Sequence, residues 1–239
     1  MCSRRISNMV LRVDTLLKSK RNESRSFTNW VERFSAKRKR MNIENNHEYI
    51  SVIFEQLAES ENTLVAIEFE NCTFKNCNFS EAVFQKCKFL ECTFTQCNLS
   101  NVNLAYSKFS DVTFDQSKLI GINWTKADWP RLNFFTSLKF NECIMNDASF
   151  FGLSLNELVL ENCKAHDVDF RNGSFNDAKF RNTDFTDSLF AKSNLKGADF
   201  QDAINYDINI FENDISRAIF SRDEAVRLLI NSVDIELVD

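Results

Sequence analysis

Thiols are the most reactive side chains that cluster in this chain: residues 71–99, NCTFKNCNFSEAVFQKCKFLECTFTQCNL, hold five cysteines and five phenylalanines. Such a cluster can be a metal site, a disulfide knot or small apolar filler. Zinc needs several ligands converging on one point, and a disulfide framework needs an oxidising compartment. Other reaction centres are not in evidence. There are two histidines, His47 and His166, and no G-x-S-x-G, Walker A, Rossmann or H-E-x-x-H arrangement. The chain reads as a non-enzyme with no cofactor and no metal, so its function has to lie on its surface.

At 239 residues and 44% hydrophobic content the chain can bury a real core. Its 24 phenylalanines stand against 4 glycines and 1 proline, so it must turn by a device other than Gly and Pro. No apolar run approaches the roughly 18 residues that cross a bilayer, and no secretory signal is evident. A soluble, cytoplasmic protein with reduced thiols is expected. Charge is uneven: residues 1–41 hold 12 Lys/Arg and 3 Asp/Glu, a net +9, whereas residues 42–239 hold 17 and 31, a net −14.

The elements that place these residues follow from a period of five. In steps of five from Leu64, the positions Phe69, Phe74, Phe79, Phe84, Phe89, Phe94, Leu99, Leu104, Phe109, Phe114, Leu119, Trp124, Trp129 and Phe134 are all large and apolar. Two residues before each sits a small or aliphatic one, as at Cys72, Cys77, Ala82, Cys87, Cys92 and Cys97. The register slips by one residue within 135–139 and resumes from Phe140 to Phe220, with exceptions at Ala165 and Asn205. Eighteen of the 24 phenylalanines hold the central position, and seven of the eight cysteines the position two before it. A period of five fits neither an amphipathic helix nor a half-buried strand. It is a solenoid signature, in which each unit buries its apolar pair only by stacking on neighbours.

Segments such as CNFSE (77–81), SNLKG (193–197) and ADFQD (198–202) match A-(D/N)-L-x-x, and over residues 62–220 the chain resembles the pentapeptide-repeat family. The resemblance implies an all-β fold, a right-handed quadrilateral β-helix with four repeats to a coil and about eight coils, roughly 38 Å long at about 4.8 Å per strand. Residues twenty apart then share a face in successive coils. Cys72 and Cys92, like Cys77 and Cys97, would point inward one above the other, as core filler among rings that leave no room for a metal.

The expected organisation is a basic N-terminal extension (1–41), helical or disordered, an N-terminal cap (42–61), the β-helix (62–220) and a C-terminal helix with a dimerisation tail (221–239). In the cap, Tyr49, Val52, Ile53, Phe54 and Leu57 lie at roughly helical spacing. Met41 would serve as an alternative natural start. Ser221, with Glu224 three residues on, reads as a capping box, and Val226, Leu228 and Leu229 give the helix an apolar face against the last coil. Val233, Ile235 and Leu237 then alternate with polar residues like an edge strand. In Qnr-type members a similar helix and tail make a head-to-head dimer. That resemblance implies a twofold homodimer through Leu228, Leu229, Val233, Ile235 and Leu237. Residues 1–40 are a candidate for contact with membrane or nucleic acid.

The residue two after each centre faces solvent, and Asp147, Asp167, Asp187 and Asp207 hold this position twenty apart, with Asp184 on the same face. Like charges stacked on neighbouring strands repel. Aspartate suits tight turns through local hydrogen bonds, and a surface that meets a basic partner would favour the same row. Members resembling Qnr and microcin-immunity proteins bind a type II topoisomerase as DNA-like dimers and shield it from quinolones or toxins. The resemblance implies that these aspartates face the basic DNA-binding surface of DNA gyrase, with no direct nucleic-acid binding by the rod. Residues 135–220 carry 14 acids and 8 bases, a net −6. Doubled in a dimer, that is about half the charge density of duplex DNA, hence a partial mimic. The long loops of many Qnr rods have no counterpart where the repeat admits one extra residue. The alternative is a general interaction scaffold or a delivered effector directed by its basic N-terminus.

Overall fold

In the computed structural model, which describes residues 42–130 and 137–233, the period of five becomes four walls of stacked parallel strands and bridges. Wall 1 stacks Tyr49, Phe69, Phe89 and Phe109. Wall 2 stacks Phe54, Phe74, Phe94 and Phe114. Wall 3 is held by bridges such as Asn78 to Asn98, and wall 4 begins with Leu64 against Phe84. Wall 2 continues through Phe140, Leu160, Phe180 and Phe200 to Phe220, and eight steps along it make about eight coils. The result is a mostly-β solenoid followed, among the described residues, by one helix, α1 (Arg222–Val233).

The corners supply the turning device that glycine and proline do not. Among the described residues, twenty-eight non-glycine positions, all but Asn205 two after a centre, have φ between 48° and 62°. This left-handed region costs an L-residue about 1–2 kcal/mol. It persists because stacking over-determines it: most corner N–H groups donate to a carbonyl of the next coil, as Asn71 does to Leu90 O at 2.9 Å.

Inside, the wall 2 rings stack face to face at 5.0, 4.5, 5.0 and 5.1 Å from Phe54 to Phe140. Cys72, Cys77, Cys87, Cys92, Cys97, Cys143 and Cys163 are buried and free. They are more than filler, because each thiol donates to main-chain carbonyls. Cys97 Sγ reaches Phe74 O and Thr95 O, both at 3.4 Å. In the next coil Ser117 Oγ makes the equivalent bonds to Phe94 O at 3.3 Å and Asp115 O at 2.8 Å. Thr183 does the same to Leu160 O at 2.9 Å. Thiol and hydroxyl are therefore interchangeable in this slot.

Burial pushes the Cys92 thiol from 9.0 up to about 12, and those of Cys72 and Cys87 also rise by burial. The folded chain keeps these protons where the unfolded chain loses them, so this contribution is complete below about pH 9 and fades as pH climbs towards 12. Cys92→Ser is expected to keep the urea midpoint at pH 7 and to lose less stability than the parent between pH 9 and 11.

Several boundaries differ from the sequence expectation. Residues 42–61 form a first coil rather than a helical cap: Glu48–Ile50 and Ile53–Glu55 are strands paired with 68–70 and 73–75. Tyr49 and Phe54 are centres with Val52 and Leu57 two before the next ones, and Ile53 faces out at 55% exposure, so the helical look is the same period of five. The slip is an insertion of six residues, not one. Phe114 pairs with Phe140, and Lys118 with Ile144, 26 apart instead of 20. Six exceeds the period by one, so the pattern shows only the remainder. The insertion falls between Trp129 and Ser137, and Phe134, expected as a centre, lies outside the described residues.

Near the end the coil contracts and recovers: Asp184 pairs with Ile204, 20 apart, Leu189 with Asp207, 18 apart, and Asn194 with Asp214, again 20 apart. Tyr206 rather than Asn205 fills the interior there, fully buried. The helix forms, but its capping box does not. Ser221 Oγ accepts from the Asp202 N–H of the preceding coil at 2.7 Å, and the Glu224 carboxylate is held by Arg227 at 2.8 and 3.0 Å.

Candidate interaction surface

The corner after wall 3 carries one column of residues: Glu61, Glu81, Asn101, Gly121, Asp147, Asp167 and Asp187. Their N–H groups mark the stacking. Glu61 donates to Ser80 O at 2.9 Å, Glu81 to Ser100 O at 2.8 Å, Gly121 to Asn146 O at 2.8 Å, Asp147 to His166 O at 2.9 Å and Asp167 to Thr186 O at 3.0 Å. Five carboxylates thus lie along seven coils spaced at about 4.8 Å. Their left-handed φ values, 59°, 56° and 58° for Asp147, Asp167 and Asp187, are ones that Asp and Asn tolerate better than most residues. Local backbone chemistry accounts for part of the row. It does not account for Glu61 and Glu81.

Sequence counting missed those two glutamates and included one residue too many. Read with 26 residues across the insertion, the column runs on into the first half of the coil. At the other end the contraction moves Asp207 off the column, because it stacks over Leu189 instead of Asp187.

The corners segregate charge. Acids recur on the corner after wall 1 at Glu91, Asp111, Glu157 and Asp177, diagonally across from the wall 3 corner. The corner after wall 2 holds amides, with Gln96 Nε2 donating to Gln116 Oε1 at 3.1 Å and Gln116 Nε2 to Glu142 Oε2 at 2.9 Å. The corner after wall 4 has Lys86 and Lys192.

The acids also differ in how far they are neutralised. Asp169 accepts two bonds from the Arg171 guanidinium, each 2.9 Å, and Asp199 pairs with Arg181 at 2.5 Å. Asp184 is a structural group: it meets His166 Nε2 at 2.9 Å, Asn205 Nδ2 at 2.9 Å and Thr186 Oγ1 at 2.7 Å. The carboxylates of Glu61, Glu81, Asp147, Asp167 and Asp187 have no hydrogen-bond or ion-pair partner among the described residues.

Burial raises the Asp184 carboxyl, but bonds from Asn205, Thr186 and His166 outweigh it and hold the group down at about 2. A carboxylate depressed on folding stabilises above its unfolded value near 3.9 and loses that contribution as pH falls through the folded value. Asp184→Asn is therefore expected to flatten the acid limb of the stability profile between about pH 4 and 2. Urea melts across that range check it.

At the C-terminal end Leu228, expected in a dimer interface, packs into the chain's own core at 2% exposure, while Leu229 and Val233 are 47% and 38% exposed. Ile235 and Leu237, and the basic extension 1–41, lie outside the described residues. Among those described, no three metal-capable side chains lie together, and no helix is long and apolar enough to cross a membrane.

Four stacked walls with left-handed corners and inward aromatic columns define a pentapeptide solenoid. The pentapeptide repeat region pattern matches residues 67–135 and 134–200, and the chain belongs to the pentapeptide-repeat family. A trypsin-treated variant of QnrB1, a plasmid-mediated fluoroquinolone resistance protein, is similar at TM-score 0.56 and 17% identity, over 78% of this chain and 100% of that one. A second trypsin-treated QnrB1 variant aligns at TM-score 0.47 and 16% identity, over 83% and 94%. HetL from Nostoc sp. strain PCC 7120, a pentapeptide repeat protein involved in heterocyst differentiation regulation, aligns at 0.26 and 12%, over 79% and 90%. At these identities the likeness is one of fold. No protein of curated function matches the sequence.

Proposed function

We propose that this chain is a non-catalytic, homodimeric, cytoplasmic partial DNA mimic that binds a type II topoisomerase of the DNA gyrase kind and modulates or protects it against quinolones or toxins. The observation that carries the reading is the column of carboxylates at Glu61, Glu81, Asp147, Asp167 and Asp187, which have no partner among the described residues. Where the column is filled it presents one charge per about 4.8 Å, against one per about 3.4 Å on each DNA strand. The diagonal acid corner supplies a second row, as a duplex does. The likeness in fold to a fluoroquinolone resistance protein supports the same direction. Exposed Leu229 and Val233, beside Ile230, support joining two copies at the C-terminal end.

The test is capture of purified gyrase by the full chain, together with a supercoiling assay with and without quinolone. Saturable binding and altered drug inhibition are expected; no binding at micromolar protein would remove the reading. The net +9 of residues 1–41 favours the alternative of a scaffold or effector directed to a membrane or nucleic acid. Deleting residues 1–40 separates the two, since gyrase binding survives under the first reading and targeting is lost under the second.

A further inference from the structure

The coil departs from its repeat between Asn205 and Asn213, and we propose that the notch formed there docks an extended segment of a partner protein carrying a Lys or Arg beside an apolar side chain. Asp207 and Ile208 pair with Leu189 and Phe190 only 18 residues away, so two residues are missing at one corner. The return of Asp214 over Asn194, 20 apart, places two extra residues in a bulge before it. Local departures from an otherwise consistent repeat are where function is expected to overrule the pattern.

The bulge is pinned from inside. Asn213, 8% exposed, donates to Phe190 O at 3.0 Å and Asn209 O at 2.9 Å, and accepts from Ser193 N–H at 2.9 Å. Asn209 Oδ1 accepts from Phe211 N–H at 2.9 Å. That bond fixes the backbone at Phe211, whose side chain is 74% exposed. An exposed aromatic on a pinned backbone suits an interface anchor, since little backbone freedom remains to be lost on binding.

Glu212, the next residue, lines a cleft of about 420 Å³ together with Leu189, Asp207, Asn209 and, from α1, Ser232. Leu189 is 47% exposed and offers an apolar floor. The Asp207 and Glu212 carboxylates have no partner among the described residues. The one base in the lining, Arg171, gives Nε and Nη2 to Asp169. The last turn of α1 carries no basic residue, so the negative end of its dipole is not offset. Apolar floor, aromatic anchor and unneutralised negative charge together select a cationic, apolar-anchored segment. The cleft's lining residues Ser188 and Leu189 directly follow Asp187, the last acid of the wall 3 corner column.

The test is selection of a random-peptide phage library on the full chain, followed by anisotropy of fluorescein-labelled synthetic copies of the enriched peptides. Enrichment of Lys or Arg next to an apolar residue is expected. Affinity should fall at least about tenfold for Phe211→Ala and for the pair Asp207→Asn, Glu212→Gln, the loss typical of a hot-spot residue, with Asp167→Lys unchanged. Unaltered melting curves establish that the variants fold. No enrichment, enrichment of acidic peptides, or equal binding to parent and both variants overturns the proposal. So does conversion of a dimer to a monomer by Phe211→Ala in sedimentation, which would give the notch to a second copy.

Discussion

Phe94→Ala is expected to destabilise the coil by about 3–5 kcal/mol, the cost of deleting a fully buried ring whose surroundings cannot collapse. Phe94 is 0% exposed and sits in the middle of the wall 2 column, 4.5 Å from the Phe74 ring and 5.0 Å from that of Phe114. It also meets Phe89 at 5.7 Å and Phe79 at 6.3 Å. Each coil of a solenoid contacts only its neighbours, so the void breaks the coupling between both flanking segments and cannot be relieved by long-range rearrangement. Phe220, at the far end of the same column, is partly buried and has a ring partner below in Phe200 at 5.3 Å. Phe220→Ala should therefore cost less than half as much. Urea denaturation followed by far-ultraviolet circular dichroism measures both; equal losses would mean that the column is not one continuous core.

Asp147→Lys, Asp167→Lys and Asp187→Lys together are expected to weaken gyrase binding at least about a hundredfold, since like charges forced together across an interface cost several kcal/mol. The fold should survive, because the three side chains are exposed and corner positions accept lysine, as Lys86 and Lys192 show. The column makes two finer distinctions. Asp207→Lys alone should leave gyrase binding unchanged, since that residue is stacked over Leu189. Glu61→Lys with Glu81→Lys should weaken binding although both residues lie five or more coils from Asp187. Titrations at two salt concentrations sharpen the result, because an electrostatic contact is screened as ionic strength rises. Undiminished binding by the triple variant would remove the acidic column from the function.

Period five is a local property, so the inward pairs, the outward corners and the closing helix could be read from residue types alone. A large side chain at the centre and a small one two before it leave few other ways to bury both, and the cysteines take their place in that rule with the serines and threonines. Membership of a column is different in kind, because it depends on every insertion between two residues. The six-residue insertion before Ser137 shows in the pattern only as a slip of one, and the contraction and bulge between Asn205 and Asn213 cancel and leave almost no trace. Which acids stand together was therefore decided by the tertiary structure, which brings Glu61 and Glu81 into line with Asp147 and takes Asp207 out of it. The same holds for partners brought from other coils. Ser221 binds the Asp202 N–H, Asp184 joins His166 to Asn205, and Leu228 is taken into the chain's own core. Sterics within five residues set which way a side chain points, and only the accumulated path of the chain sets what it meets.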